Sequence, residues 1–289
     1  MQEIVVLSGK GGTGKTSITA ALATLGQDML VADCDVDAAN MHLILQPENY
    51  REEVYVSGSI AHIDADKCTL CGLCVENCRF DALSYGENKI IVTEPSCESC
   101  FLCATICPEQ AIDMMPCNKS RWYEGTYRKG FLLHARLYPG EQNSGKLVSV
   151  IRKQARELAK VKQIDTILLD GPPGVGCPVI SAVTGTQKVL IVTEPSMSAF
   201  HDLLRIVELT RSFKSEIYII INKYSLSPSV SQKIEQWCEE QNLPIIAKLP
   251  YDKTVIEAML QCKSIVELYP ESGISKQIKH VYKILFANE

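Results

Sequence analysis

The segment Ser8-Gly-Lys-Gly-Gly-Thr-Gly-Lys-Thr16 constrains this chain more than any other. An apolar run, Ile4-Val5-Val6-Leu7, precedes it, and Ser17-Ile18-Thr19-Ala20-Ala21-Leu22-Ala23 follows it with the composition of a helix. A glycine loop between a buried strand and a helix N-terminus is the setting of a phosphate-binding loop. Backbone N–H groups and the helix dipole both face the anion there. The pattern G-x-x-x-x-G-K-[ST] is complete in Gly9, Gly14, Lys15 and Thr16. Gly11, Gly12, Thr13, Gly14 and Ser17 would line the cradle. Lys15 would meet the outer phosphates, and Thr16 would offer a hydroxyl to Mg²⁺.

Other apolar runs end in carboxylates. Met29-Leu30-Val31-Ala32 leads into Asp33-Cys34-Asp35, and the run from Ile164 to Leu169 leads into Asp170, then Gly171-Pro172-Pro173-Gly174. The C-terminal ends of parallel strands face the ligand, so these carboxylates point to the same edge as the glycine loop. Further strands are expected at 131–138 (closed by Pro139-Gly140), 189–195, 217–221 and 245–249, and a helix at 145–160. His134 reads as a structural strand residue. The basic and aromatic stretch 119–129 reads as a join, with Trp122 and Tyr127 capping it. Residues 274–286 read as an amphipathic helix with Ile274, Ile278, Val281, Tyr282 and Leu285 on one face.

Thirteen cysteines are present. The chain opens directly on strand and loop, which predicts no export signal, and no apolar run approaches the ~18 residues of a membrane span. A soluble, cytoplasmic protein is expected, and there clustered cysteines point to metal more than to disulfides. Eight of them form two runs, Cys68-x-x-Cys71-x-x-Cys74-x-x-x-Cys78 and Cys97-x-x-Cys100-x-x-Cys103-x-x-x-Cys107-Pro108. Each is followed by a similar phrase, Phe80-Asp81-Ala82-Leu83 and Gln110-Ala111-Ile112-Asp113, so the segment is an internal repeat. Zinc sites usually pair two Cys-x-x-Cys units, and two full four-cysteine runs fit iron–sulfur better. The net charge of −5 gives no overall sign of a nucleic-acid partner.

With Lys10 inside it, the glycine loop resembles the deviant Walker A loop of the MinD/ParA family, which includes the nitrogenase iron protein and the Mrp-type iron–sulfur carriers. The cysteine segment resembles the bacterial two-cluster ferredoxin over its whole length. The chain as a whole is similar to MinD-superfamily ATPases with an inserted ferredoxin domain. The resemblance implies an α/β fold: a mostly parallel P-loop sheet flanked by helices, split into residues 1–57 and 117–289, around an inserted α+β ferredoxin-like domain at 58–116. It implies ATP, Mg²⁺ and two [4Fe–4S] clusters. Cys68, Cys71, Cys74 and Cys107 would hold one cluster, and Cys97, Cys100, Cys103 and Cys78 the other. Arg79 departs from the pattern, replacing the proline that usually follows the fourth cysteine.

For the ATPase the resemblance implies a homodimer formed on ATP binding, with Lys10 reaching the partner's nucleotide. Asp35 would orient water or approach Mg²⁺, Asp170 would bind Mg²⁺ through water, and Gly171 would offer its N–H to the γ-phosphate. Asn222, Pro250, Tyr251 and Asp252 would contact the base. Asn40 matches a family position, whereas Asp33 and Asp37 are equally well read as structural. Cys177 shares its offset from Asp170 with the cluster cysteine of the nitrogenase iron protein, and is also readable as a small buried residue. The implied function is ATP-gated electron transfer to a redox or iron–sulfur partner. The alternatives are cluster assembly, disfavoured because Cys238 and Cys262 form no late Cys-x-x-Cys pair, and a redox-sensing positioning ATPase. Membrane contact through the C-terminal helix is the less favoured outcome for that segment.

Overall fold

Ile4 to Leu7 are completely buried, and a strand buried on both faces belongs inside a helix-covered sheet. The computed structural model describes residues 1–56, 58–139 and 144–286. Gly140 and residue 57, the expected end of the first ATPase segment, lie outside the described residues, as do 287–289. The sheet has nine strands, ordered Ile245–Lys248, Glu216–Ile221, Lys188–Thr193, Gln2–Ser8, Thr166–Pro173, Leu30–Asp33, Gly130–Arg136, Ser120–Tyr127 and Glu48–Tyr55. All pairings among the first seven are parallel. The stretch 119–129, expected as a join, is in fact largely the strand Ser120–Tyr127, and Glu48–Tyr55 is a further strand with no sequence expectation.

The chain forms two compact units. The larger comprises 1–52, 123–135 and 144–289, and the smaller 53–122 and 136–143. In the larger unit the register aligns the functional strand ends: Val6 pairs with Asp170, and Asp170 with Asp33. The C-terminal helix Gly273–Phe286 turns Ile274, Ile278, Val281 and Leu285 into the main core, where each is at most 3% exposed. Its apolar face is therefore occupied by protein. Tyr127 is buried in the same core. His134 is buried between the rings of His42 and Tyr123, at centroid distances of 5.3 and 4.9 Å, with its Nε2 3.2 Å from Asn49 Oδ1. Burial, and secondarily the charge of His42, press its pKa down to about 4.

In the smaller unit, Ser59–Ile63 pairs antiparallel with Ile112–Pro116, and Leu83–Tyr85 with Ile90–Val92. Short helices occupy Leu73–Glu76 and Leu102–Ile106. The sequence repeat is also a repeat of backbone conformation. Left-handed φ angles recur at Leu70 and Ser99 (58° and 52°), Gly72 and Phe101 (81° and 64°), and Asp81 and Gln110 (50° and 49°). Such angles are uncommon outside glycine. Their recurrence at matching positions means that both halves bend the chain identically around their cysteines.

The buried charge that most needs explanation is Glu3. Its carboxylate pairs with Arg152 and accepts from Arg156 Nη2 at 2.8 Å, and Arg152 also donates to Thr184 O at 2.9 Å. Burial alone would raise the Glu3 pKa, but hydrogen bonds and charge from Arg156 and Arg152 hold it below the usual range. A depressed carboxylate contributes stability above its unfolded pKa and loses it as pH falls through the folded value. Glu3→Gln leaves Arg152 buried without its counter-ion. It is expected to lower unfolding free energy at pH 7 by about 3 kcal/mol. Urea unfolding across a pH series should show that gap closing in acid.

Candidate functional site

The aligned strand ends create a buried electrostatic knot. Lys15, the first residue of the helix Lys15–Leu25, is 5% exposed. Its Nζ lies 2.9 Å from Asp170 Oδ1 and 3.6 Å from Asp35 Oδ2. Thr16 Oγ1 donates to Asp170 Oδ2 at 2.8 Å, and Thr19 Oγ1 to Asp170 Oδ1 at 2.9 Å. Burial would lower the Lys15 pKa, but Asp170 and then Asp35 outweigh it and hold it above its ordinary value. Burial pushes Asp35 up against the pull of Lys15. It pushes the fully buried Asp33 up to about 8, helped by Asp170. Asp33 also accepts the backbone N–H groups of Asp35 and Met41, at 3.1 and 3.2 Å. It thereby fixes the turn that presents Asp35.

Above the knot opens a cavity with about 1890 Å³ of empty space, including its open mouth. Gly11, Gly12, Thr13, Gly14, Lys15, Thr16, Ser17 and Asp35 line one side, and Asn222, Pro250, Tyr251 and Asp252 another. Asn40 also lines it, whereas Asp37 is exposed on the turn. Gly171 sits inside its strand, where a Cβ would stand 2.4 Å from Leu7 Cδ2. Cys177 is exposed at the start of the helix Cys177–Val183.

Several polar groups around the cavity already have partners. Asp252 caps the helix Lys253–Leu260 by accepting from Thr254 N–H at 2.9 Å, and Tyr251 N–H donates to Ser225 Oγ at 3.0 Å. Asn222 Nδ2 donates to Thr13 O at 2.7 Å. Lys10 folds back within its own chain: its Nζ is 2.8 Å from Glu194 Oε1, 3.0 Å from Ser196 Oγ and 3.2 Å from Ser198 Oγ. Lys223 bonds Gly12 O at 2.7 Å and Glu194 Oε2 at 3.0 Å. Glu194 and Lys223 had no motif to mark them. Their only sequence signal is that each follows the end of an apolar run, as Asp170 does.

The two cysteine runs line two separate cavities in the smaller unit. Cys68, Cys71, Cys74 and Cys107 border one with about 370 Å³ of empty space, this figure and the next including space open to solvent. Cys78, Cys97, Cys100 and Cys103 border the other, of about 430 Å³, where Cys74 also reaches the wall. The first takes three cysteines from one run and one from the other, and the second takes three from one run and two, Cys74 and Cys78, from the other. None of the eight forms a disulfide, and Cys71 and Cys100 are exposed. Among the described residues, no three or more His, Cys, Asp or Glu side chains stand close enough to hold a single metal ion.

A family model for the CobQ/CobB/MinD/ParA nucleotide binding domain matches residues 4–265. A protein of Methanocaldococcus jannaschii is 33% identical over 295 residues, covering 99% of this chain and 96% of that one. The septum site-determining protein MinD of Thermotoga maritima is 26% identical, covering 96% and 85%. Among solved structures, the MinD protein of Pyrococcus horikoshii complexed with Mg-ADP has a TM-score of 0.59 at 20% identity, covering 99% and 96%. The Cyanothece McdA(D38A)–ATP complex has a TM-score of 0.61 at 19% identity, covering 100% and 98%. At that identity the two structures speak for the fold, and the family match with the Methanocaldococcus relative shows the family: this chain belongs to the CobQ/CobB/MinD/ParA family of nucleotide-binding domains.

Proposed function

We propose that this chain is an Mg²⁺-dependent ATPase of the MinD/ParA type whose nucleotide cycle gates electron transfer from two [4Fe–4S] clusters to a partner protein. The observation that carries the reading is the pairing of a complete phosphate-loop knot with two cavities, each bordered by at least four cysteines drawn from both runs.

The residues fit both groups. Mg²⁺ is usually held by one or two carboxylates or hydroxyls together with phosphates and waters, so Thr16 and Asp170 suffice as protein partners. The knot holds three carboxylates, Asp33, Asp35 and Asp170, against one ammonium, and an added cation would relieve that imbalance. A [4Fe–4S] group spreads its thiolates over four irons. A single zinc with Zn–S of about 2.3 Å draws four sulfurs to roughly 3.8 Å from one another. Two full runs of four cysteines suit the larger group. Bound there, the clusters would supply one-electron storage.

The chain's own residues carry the rest. Lys15 neutralises the outer phosphates and Asp35 orients the attacking water. Lys10 leaves Glu194 to reach the nucleotide of a second copy, stabilising charge that develops there. The smaller unit suits a basic redox partner. Its residues 53–122 and 136–143 contain 11 acidic and 6 basic side chains, a net of −5 that equals the charge of the whole chain. Such a unit would steer an oppositely charged partner, and salt would slow the encounter. A second reading, an ATPase that positions other proteins, is favoured by the names of the MinD relatives.

Two experiments test the proposal. Anaerobic reconstitution should give about eight irons per chain. Cys107→Ala and Cys78→Ala should each impair a different cluster, resolved by EPR. Iron-free protein, or zinc in both sites, would remove the redox reading. Lys10→Ala should abolish the ATP-dependent shift from monomer to dimer in light scattering, while leaving ATP affinity within a few-fold. A mutant that still dimerises would remove the trans role of Lys10.

A further inference from the structure

The strand Glu216–Ile221 leads into Asn222-Lys223, and both side chains bond the backbone of the glycine loop. Asn222 Nδ2 donates to Thr13 O at 2.7 Å, and Lys223 Nζ donates to Gly12 O at 2.7 Å. The two are tied to each other, because Asn222 Oδ1 accepts from the Lys223 backbone N–H at 3.0 Å. Lys223 itself has a left-handed φ of 55°, a conformation uncommon for a residue with a Cβ. The fit on the loop is close: Gly14 has a φ of 90°, and a Cβ there would stand 2.4 Å from Asn222 Nδ2.

Peptide geometry gives these bonds a consequence. In a trans peptide the C=O and the following N–H point in opposite directions. Holding Gly12 O turns the Thr13 N–H the other way, and holding Thr13 O does the same for the Gly14 N–H. Glycine-rich loops bind phosphate with such N–H groups. Glu194 steadies the arrangement by sharing its carboxylate between Lys223 (3.0 Å) and Lys10 (2.8 Å). Burial would raise the Glu194 pKa, but hydrogen bonds from Lys10 and Lys223 hold it below its usual range. The carboxylate is 18% exposed, so it is less screened than a surface ion pair.

We propose that Lys223 and Asn222 are positioning residues of the phosphate loop, which fix the carbonyls of Gly12 and Thr13 so that the N–H groups of Thr13 and Gly14 face the triphosphate. The proposal rests on the reading of the cavity as a nucleotide site. It assigns Asn222 to the grip on phosphate and not to selection of the base. Contacts to the triphosphate are common to all nucleotides, so loss of the brace must weaken all of them alike.

The test is calorimetric binding of Mg·ATP, Mg·GTP and Mg·tripolyphosphate, the last having no base. Lys223→Met and Asn222→Ala should each weaken all three by roughly tenfold, with the ATP-to-GTP ratio unchanged. Lys223→Arg, which retains a cationic donor, should restore most of the loss. The melting temperature without nucleotide should stay near wild type, and Lys223→Gln supplies the same comparison where the methionine variant fails to fold. Tripolyphosphate binding that is unchanged while ATP binding falls would overturn the proposal and make the pair a base reader. Unchanged binding of all three would also overturn it. Wild-type protein that binds none of the three would instead refute the nucleotide site itself.

Discussion

A buried ammonium in contact with two carboxylates is the interaction on which the larger unit depends. Lys15 can lie 5% exposed only because Asp170 and Asp35 stand 2.9 and 3.6 Å away. Unpaired, it would carry a desolvation cost of several kcal/mol. The pairing requires three elements to end at one level, and the parallel register of Gln2–Ser8, Thr166–Pro173 and Leu30–Asp33 provides that. The carboxylates in turn exceed the one ammonium, and burial, helped by the neighbouring Asp170, leaves Asp33 with a raised pKa. In the function proposed above, Mg²⁺ would answer the excess carboxylate and phosphate would take Lys15 as its counter-ion.

Much of this larger unit was legible in the sequence. Buried parallel strands read as uninterrupted apolar runs, and Ile4 to Leu7, Ile167 to Leu169 and Val189 to Val192 are all fully buried. The glycine loop was legible because phosphate chemistry demands particular residues at fixed spacing. Glu48–Tyr55 escaped because it lies at the sheet's edge with seven of its eight residues exposed. Charged, exposed edge strands carry no apolar signal. Ser120–Tyr127 escaped because arginine, glutamate and glycine interrupt its aromatic residues. The brace from Lys223 and Glu194 was invisible for another reason: its partners lie 211 and 29 positions away from Lys223, and the acceptor on the loop is a backbone carbonyl.

The smaller unit follows a different logic. Its core is thin and its strands run three to five residues. The repeated left-handed angles at Leu70 and Ser99, Gly72 and Phe101, and Asp81 and Gln110 bend the chain at matching points around the cysteines. Two equivalent cavities and one concentration of negative charge suit a redox module better than a second nucleotide site. The exposed Cys71 and Cys100 mark where each cavity meets solvent. In the function proposed above, energy conversion would fall to the larger unit and electron storage to the smaller.

The central claim is that these two activities are coupled. The direct measurement is an anaerobic potentiometric titration followed by EPR, with and without Mg·ATP, on the reconstituted full chain. The account predicts that Mg·ATP shifts the midpoint potential or the spectrum of at least one cluster, and that Lys15→Ala abolishes the shift while leaving iron content unchanged. Two cluster signals that are identical with and without Mg·ATP would contradict it.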